Sequence, residues 1–443
     1  MSDEQYINEL SSFINNSVTP FHTVNTIREY LSANNYEELK ANEPFKIEAG
    51  RRYYINIYDS TLIAFNIGAD IRNSKGKVNL RCSASHTDSP CFKVKPEYMI
   101  KEALGKDEGY VKLNTEVYGG PILNTWLDRP LSIAGKVVIK GKEWYDNETR
   151  FIDVKKPVLT IPNLAIHMNR EVNKGVELNR QKDMMPVIGL FNENENYDDI
   201  VQKLIIEEIK KQGRDIAKED ISDYELFIYQ TERGSTIGAY DEMYSSPRLD
   251  NLTSVFAQMR AIVNCDRQDG INLAIFYDNE EIGSATKQGA ASQVIMLILE
   301  KIYVALGYDR DYMINDILSG MMVSIDVAHA THPNLPEKSD ITNKVSLNGG
   351  IVIKESASQS YANDAQGISA VKSICEKFDC KYQIFVNRSD MPGGRTLGSI
   401  SSTVLPMRTI DIGIPLLAMH SSRELMGKND EKNLEKFLTG FYS

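Results

Sequence analysis

Cysteine is scarce in this chain. Five in 443 residues cannot make a disulfide scaffold, and Cys82, Cys91, Cys265, Cys375 and Cys380 read as small packed hydrophobes in apolar runs or at helix ends. Positive charge is also short: 50 Lys and Arg stand against 61 Asp and Glu, a net charge of −11. That balance argues against non-specific nucleic-acid binding, and any taste for an anionic substrate must come from a local basic residue. Long hydrophobic runs are missing. The most apolar helical stretch, "ASQVIMLILEKIYVALG", is broken by Glu300 and Lys301, short of membrane-spanning length. The first residues, "MSDEQYINELSSFINN", lack the basic and apolar regions of a signal peptide, so a cytoplasmic protein that contacts no membrane is expected. Internal repeats and low-complexity tracts are absent.

The length implies more than one domain, and 42% hydrophobic residues suffice for a sizeable core. Two amphipathic helical patterns come first, the second opening at Thr19-Pro20, followed by the β-rich runs "RRYYINIYDS", "TLIAFNIG" and "KVNLRCSAS". Residues 97–235 change character. Strand-like segments "YVKLNTEVYGG", "LSIAGKVVIK" and "PVLTIPNLAIHMN" precede a polar Asn/Glu loop and the helical "YDDIVQKLIIEEIKKQG". From about residue 240 helices and strands alternate: "NLTSVFAQMRAIVNC", "INLAIFYD", "GAASQVIMLILEKIYVAL", "MMVSIDVA", "DAQGISAVKSICEKF", "KYQIFVN" and a last helix from Arg423. The pattern predicts an α/β fold with a mixed, mostly parallel sheet flanked by helices, in residues 1–95 plus 236–443. An inserted β-rich domain occupies 96–235.

Ligands of open α/β sheets bind beyond the carboxyl ends of the strands, and the residues there are of one chemical kind. "NLRCSAS" runs into His86-Thr87-Asp88, "INLAIFYDN" into Glu280-Glu281, and "MMVSI" into Asp326 with His329 and His332 beyond; "TIDIGIPLLAM" ends at His420, and Asp250 precedes a helix. Singly, each has an ordinary explanation, such as a turn histidine or a helix cap. Together, four of six histidines and four strand-end acids, with Asp250 beside them, converge on one predicted edge, which points to a metal site. Nitrogen and oxygen donors without thiolate suit catalytic zinc, or manganese or cobalt. Five or six such donors exceed the usual three of one catalytic zinc and suit two ions sharing a carboxylate. Adjacent Glu280 and Glu281 then divide the work, one neutralising metal charge and the other left as general base. Asp88, two residues past His86, is placed to orient that imidazole.

The segments "ASHTDSPCFKVKP", "YGGPILNTWLDRPLSIAGKV", "SPRLDNLTSVFA", "FYDNEEIGS", "DVAHATHPN", "RSDMPGG" and "GIPLLAMHSSRE" resemble the aspartyl aminopeptidase family of cytosolic dinuclear zinc exopeptidases, from "VTPFHTV" to the last helix. The resemblance implies a zinc-exopeptidase-like fold with two zinc ions per subunit, held by His86, Asp250, Glu281, Asp326 and His420, with Asp250 bridging. It makes Glu280 the general base and Asp88 the orienting acid. It implies short peptides as substrates, acidic N-terminal residues as the preferred ones, and a tetrahedral homododecamer of dimers built through the inserted domain. Lys354, Tyr361 and His329 match substrate-contacting positions. His167 matches a histidine that reaches a neighbouring subunit's site, as a substrate contact or a metal ligand there, although the residues alone suggest a strand histidine on the insert. Arg395, in "MPGGRTLG", replaces a small hydroxyl residue of the family and puts the strictness of acidic preference in question. Two other functions fit a similar sheet: a dinuclear carboxypeptidase or N-acyl amino acid deacylase clamping a carboxylate with Arg395 or Arg423, and a non-catalytic peptide or zinc store.

Overall fold

The computed structural model describes residues 2–71, 78–105, 108–191, 197–391 and 393–443. Two compact units divide the chain: Met1–Ser89, Gly234–Met419 and Glu424–Ser443 in the first, Pro90–Arg233 and His420–Arg423 in the second.

The first unit is built on a nine-stranded sheet. In spatial order its strands are Glu37–Glu38, Arg52–Ile57, Thr61–Ile67, Ile271–Tyr277, Leu80–His86, Met321–Ile325, Arg408–Gly413, Ile351–Glu355 and Tyr382–Val386. Five of the eight pairings are parallel, giving a mixed α/β sheet. The central strands Ile271–Tyr277 and Met321–Ile325 are buried along their whole length, which explains their unbroken apolar sequences. Along the first, Leu273 and Ile275 face one helical layer, with Ile295, Ile302 and Leu405. Ala274 and Phe276 face the other, with Leu10, Val255 and Phe437. Helix Pro20–Ala33 begins where Thr19-Pro20 predicts, and the Thr19 hydroxyl accepts the His22 amide at 3.4 Å. A five-stranded sheet of short strands, including Ala328–His329 and Glu424–Gly427, completes this unit.

The second unit holds a six-stranded, wholly antiparallel sheet. Val201, Leu204, Ile205 and Ile209 of helix Ile200–Lys211 pack in its core.

Three sequence expectations change. "PVLTIPNLAIHMN" is not a strand: only Leu159 and Thr160 form isolated bridges, because Pro157 and Pro162 cannot donate to a ladder. Arg423 does not open the last helix. A strand, Glu424–Gly427, comes first, and the helix starts at Asp430 with Asp430 and Glu431 in its opening turn, where acids are favoured. The helix sought in "GAASQVIMLILEKIYVAL" starts only at Val294. The polar loop at 192–196 lies outside the described residues.

Candidate metal centre

Three neighbouring parallel strands end together. Tyr277 is in register with His86, and Ser324 with Ala84. His86 is therefore the last residue of its strand, Asp326 follows the next strand, and Glu280 and Glu281 follow Tyr277 within a 3-10 turn. That turn requires left-handed backbone at Asn279 (φ 65°) and Gly283 (φ 95°), conformations suited to Asn and Gly. Asp250 lies in the first turn of helix Leu249–Asn264 but has non-helical backbone (φ −79°, ψ 108°), and the Asp250–Asn251 peptide is cis. Its amide donates to Glu424 Oε2 at 2.9 Å, and the Ser89 hydroxyl donates to its carbonyl at 2.9 Å. Asn251 Nδ2 donates to the Ile325 carbonyl at 2.8 Å, tying the helix start to the strand that delivers Asp326.

His86 Nε2 stands 3.3 Å from Asp250 Oδ1, 3.5 Å from Asp326 Oδ1 and 4.0 Å from Glu280 Oε2. His86 and Asp250 are 1% and 4% exposed and Asp326 9%. A tetrahedral site with bonds of roughly 2.0–2.1 Å has ligand–ligand edges of roughly 3.3–3.4 Å. The two edges from His86 Nε2, to Asp250 and to Asp326, match that spacing, and the three donors lie within 4.8 Å of one another, so the residues present fit zinc. On the other flank Asp88 Oδ1 is 3.3 Å from His86 Nδ1, and the Asp88 carboxylate accepts the amides of Glu280 and Glu281 at 3.2 and 3.1 Å. One buried acid thus orients both the imidazole and the two-glutamate turn.

The cluster demands positive charge. Burial opposes protonation of His86, but Asp250, Asp326 and Asp88 outweigh it and hold the imidazole well above its ordinary pKa. Glu280 is pushed up to about 8, first by burial and then by Asp326, Asp88 and Asp250, with His86 pulling the other way. A divalent cation relieves the same excess of negative charge.

His420 belongs to the second unit. Its backbone is left-handed (φ 68°), and Nδ1 lies 3.1 Å from the Gly120 carbonyl. A proton on Nδ1 donated there leaves Nε2 with its lone pair for a metal. His167 sits in an exposed turn of that unit, not in a strand, because no strand forms around it. In the first unit Lys354 is 2% and Tyr361 4% exposed, with Lys354 Nζ 5.4 Å from the Tyr361 ring centroid and 3.9 Å from Asp326 Oδ2. His329 is exposed, its ring 6.0 Å from that of Phe385. Arg395 is exposed and donates to Ser399 Oγ at 3.1 Å; Arg423 donates to the Arg233 carbonyl at 3.0 Å. Sequence reasoning missed Glu424 and Ser89, which hold the Asp250 backbone, and no local pattern marks them.

Residues 13–442 match the family model described as aminopeptidase I zinc metalloprotease (M18). A probable M18 family aminopeptidase 2 of Clostridium novyi is 44% identical over 439 residues, covering 99% of each chain. The cryo-EM structure of the Ape4 and Nbr1 complex contains a chain 32% identical, with TM-score 0.93, covering 99% of this chain and 86% of that one. The S. cerevisiae mApe1 dodecamer is 25% identical with TM-score 0.83, covering 98% and 95%. The chain belongs to the M18 family of zinc metalloprotease aminopeptidases. That membership selects the aminopeptidase over the deacylase, carboxypeptidase and storage readings.

Among the described residues no helix is long and apolar enough to cross a membrane.

Proposed function

We propose that this chain is a dinuclear zinc aminopeptidase that trims short peptides with a preference for N-terminal Asp and Glu. His86, Asp250, Glu281, Asp326 and His420 would hold the two ions. Zinc, when bound, acts as a Lewis acid and brings the ionisation of water towards neutral pH. Glu280 takes the proton of the attacking water and returns it to the amine leaving the cleaved C–N bond. Asp88 is a positioning residue, fixing the His86 ring and the 280–281 amides. The peptide's free amine is held in the acidic site, which confines cleavage to N-termini. Lys354, with Tyr361 and His329, meets the first side chain; Lys354 supplies a local cation in a protein of net negative charge.

The observation that carries this reading is the spacing of His86 Nε2, Asp250 Oδ1 and Asp326 Oδ1, 3.3 and 3.5 Å apart from the imidazole, with Glu280 beside them at 4.0 Å. In the same reading, residues 1–95 with 236–443 are the catalytic domain, and 96–235 are an oligomerisation domain. Twelve subunits assemble in the cytoplasm as a tetrahedron of dimers, with His167 reaching a neighbour's site. The dodecameric mApe1 structure supports that assembly. The test is hydrolysis of peptides beginning with Asp, Glu, Leu or Ala, with and without chelator and with the N-terminus acetylated. Chelation and acetylation both stop cleavage, and Asp and Glu lead the panel. Cleavage of acetylated peptides at the normal rate would defeat the reading.

A further inference from the structure

A row of polar side chains crosses the sheet beneath Asp326. Strands Ile351–Glu355 and Arg408–Gly413 are antiparallel, with Ile353 opposite Ile412, so the next opposed pair is Lys354 and Asp411. On the far side of its strand Asp411 is in register with Ser324. Ile353, Ile410, Ile412, Val323 and Ile325 point into one apolar core, so alternation puts Ser324, Asp411 and Lys354 together on the opposite face. All three are buried, at 0%, 0% and 2% exposure. Charges in such a place are poorly screened, so the Asp411 carboxylate acts on the Lys354 ammonium from the neighbouring strand without a direct ion pair, while Lys354 Nζ lies 3.9 Å from Asp326 Oδ2.

Asp411 is tightly fitted. Its carboxylate accepts the Ala362 amide, and its own amide donates to the Ala362 carbonyl at 2.9 Å, clamping the residue next to Tyr361. A Cβ on Gly398 would lie 2.6 and 2.7 Å from the two carboxylate oxygens, so the helix that begins at Leu397 closes over the group with no room to spare. Burial pushes the Asp411 carboxyl up to about 6, against the pull of Lys354.

We propose that Asp411 is a specificity-determining residue that limits the preference for acidic N-terminal residues, by neutralising Lys354 from within the sheet. The proposal rests on the reading of Lys354 as the residue that meets the substrate side chain. With Asp411 in place, a substrate carboxylate meets an ammonium whose charge the buried Asp411, together with Asp326 Oδ2 at 3.9 Å, already offsets. Without it, an incoming Asp or Glu supplies the missing charge, and acidic substrates gain.

The experiment compares kcat and KM for Asp-, Asn- and Ala-initiated peptides in the zinc-loaded wild type, Asp411→Asn and Lys354→Met. Calorimetric binding of free L-aspartate and L-asparagine accompanies it. Asn at 411 keeps an acceptor for the Ala362 amide. In Asp411→Asn the Asp-to-Asn ratio of kcat/KM rises about tenfold, through KM, and L-aspartate binding strengthens in parallel. An unchanged or lower ratio in folded Asp411→Asn overturns the proposal while leaving Lys354's role intact. A ratio unmoved by Lys354→Met instead sinks the reading underneath it. The wild type alone is informative should Asp411→Asn not fold: an Asp-to-Asn discrimination below about tenfold supports internal neutralisation, and a larger one contradicts it.

Discussion

The Asp88 carboxylate lies 3.3 Å from His86 Nδ1 while also accepting the amides of the two glutamates that follow the neighbouring strand. A single acid thereby couples a candidate ligand to the candidate base. Asp88→Asn replaces one acceptor oxygen by an NH₂ group that faces either an imidazole N–H or a backbone N–H. The expected loss is about 10–100-fold in zinc affinity or activity, measured by chelator competition alongside kcat/KM. Wild-type values for both quantities would remove Asp88 from the account.

Glu280 and Glu281 are chemically identical neighbours with different proposed tasks. Glu280→Gln retains zinc and loses about 10²–10⁴-fold in kcat, the usual worth of general acid–base catalysis. Glu281→Gln loses zinc. Elemental analysis of both variants next to their turnover separates the roles, and the reverse pattern reverses the assignment.

Asp430 offers a pH test away from the metal centre. Burial raises its carboxyl to about 7, against hydrogen bonds from the Gly350 and Asn348 amides, which lie at 2.9 and 2.7 Å. The folded state therefore binds a proton that the unfolded chain releases near pH ~4. Asp430's contribution is fully present below that pH and is lost as pH rises towards 7. The melting temperature of the wild type relative to Asp430→Asn should fall over this interval, and a gap independent of pH would refute the assignment.

Leu273, fully buried in the central strand, tests the core. Leu273→Ala should cost about 2–5 kcal/mol by lost burial and the remaining cavity, read from chemical denaturation. A loss below about 1 kcal/mol would mean that this face of the sheet is loosely packed.

Much of the site was legible because strand ends are legible. The apolar runs ending at His86, Tyr277 and Ile325 stop where the sheet stops, so the acids beyond them had to share an edge. Asp88 was found by its two-residue spacing, although it acts through the end of a strand rather than its continuation. What stayed hidden depends on distant pairing. No local pattern sets Lys354 opposite Asp411, 57 residues away in sequence, and none reveals that Glu424 holds the Asp250 amide. The mistaken strand around His167 came from discounting the two prolines of that segment. The helix expected at Arg423 overlooked "ELMG", whose pairing with Met243–Ser246 is non-local.

The proposed role of the site is tested most directly by zinc content and anomalous scattering of fully active protein. Two zinc ions per chain are expected, one between His86, Asp250 and Asp326, with activity falling in step as they are stripped and returning with them. Full peptide hydrolysis by material free of divalent metal, or zinc bound elsewhere with this cluster empty, would contradict it.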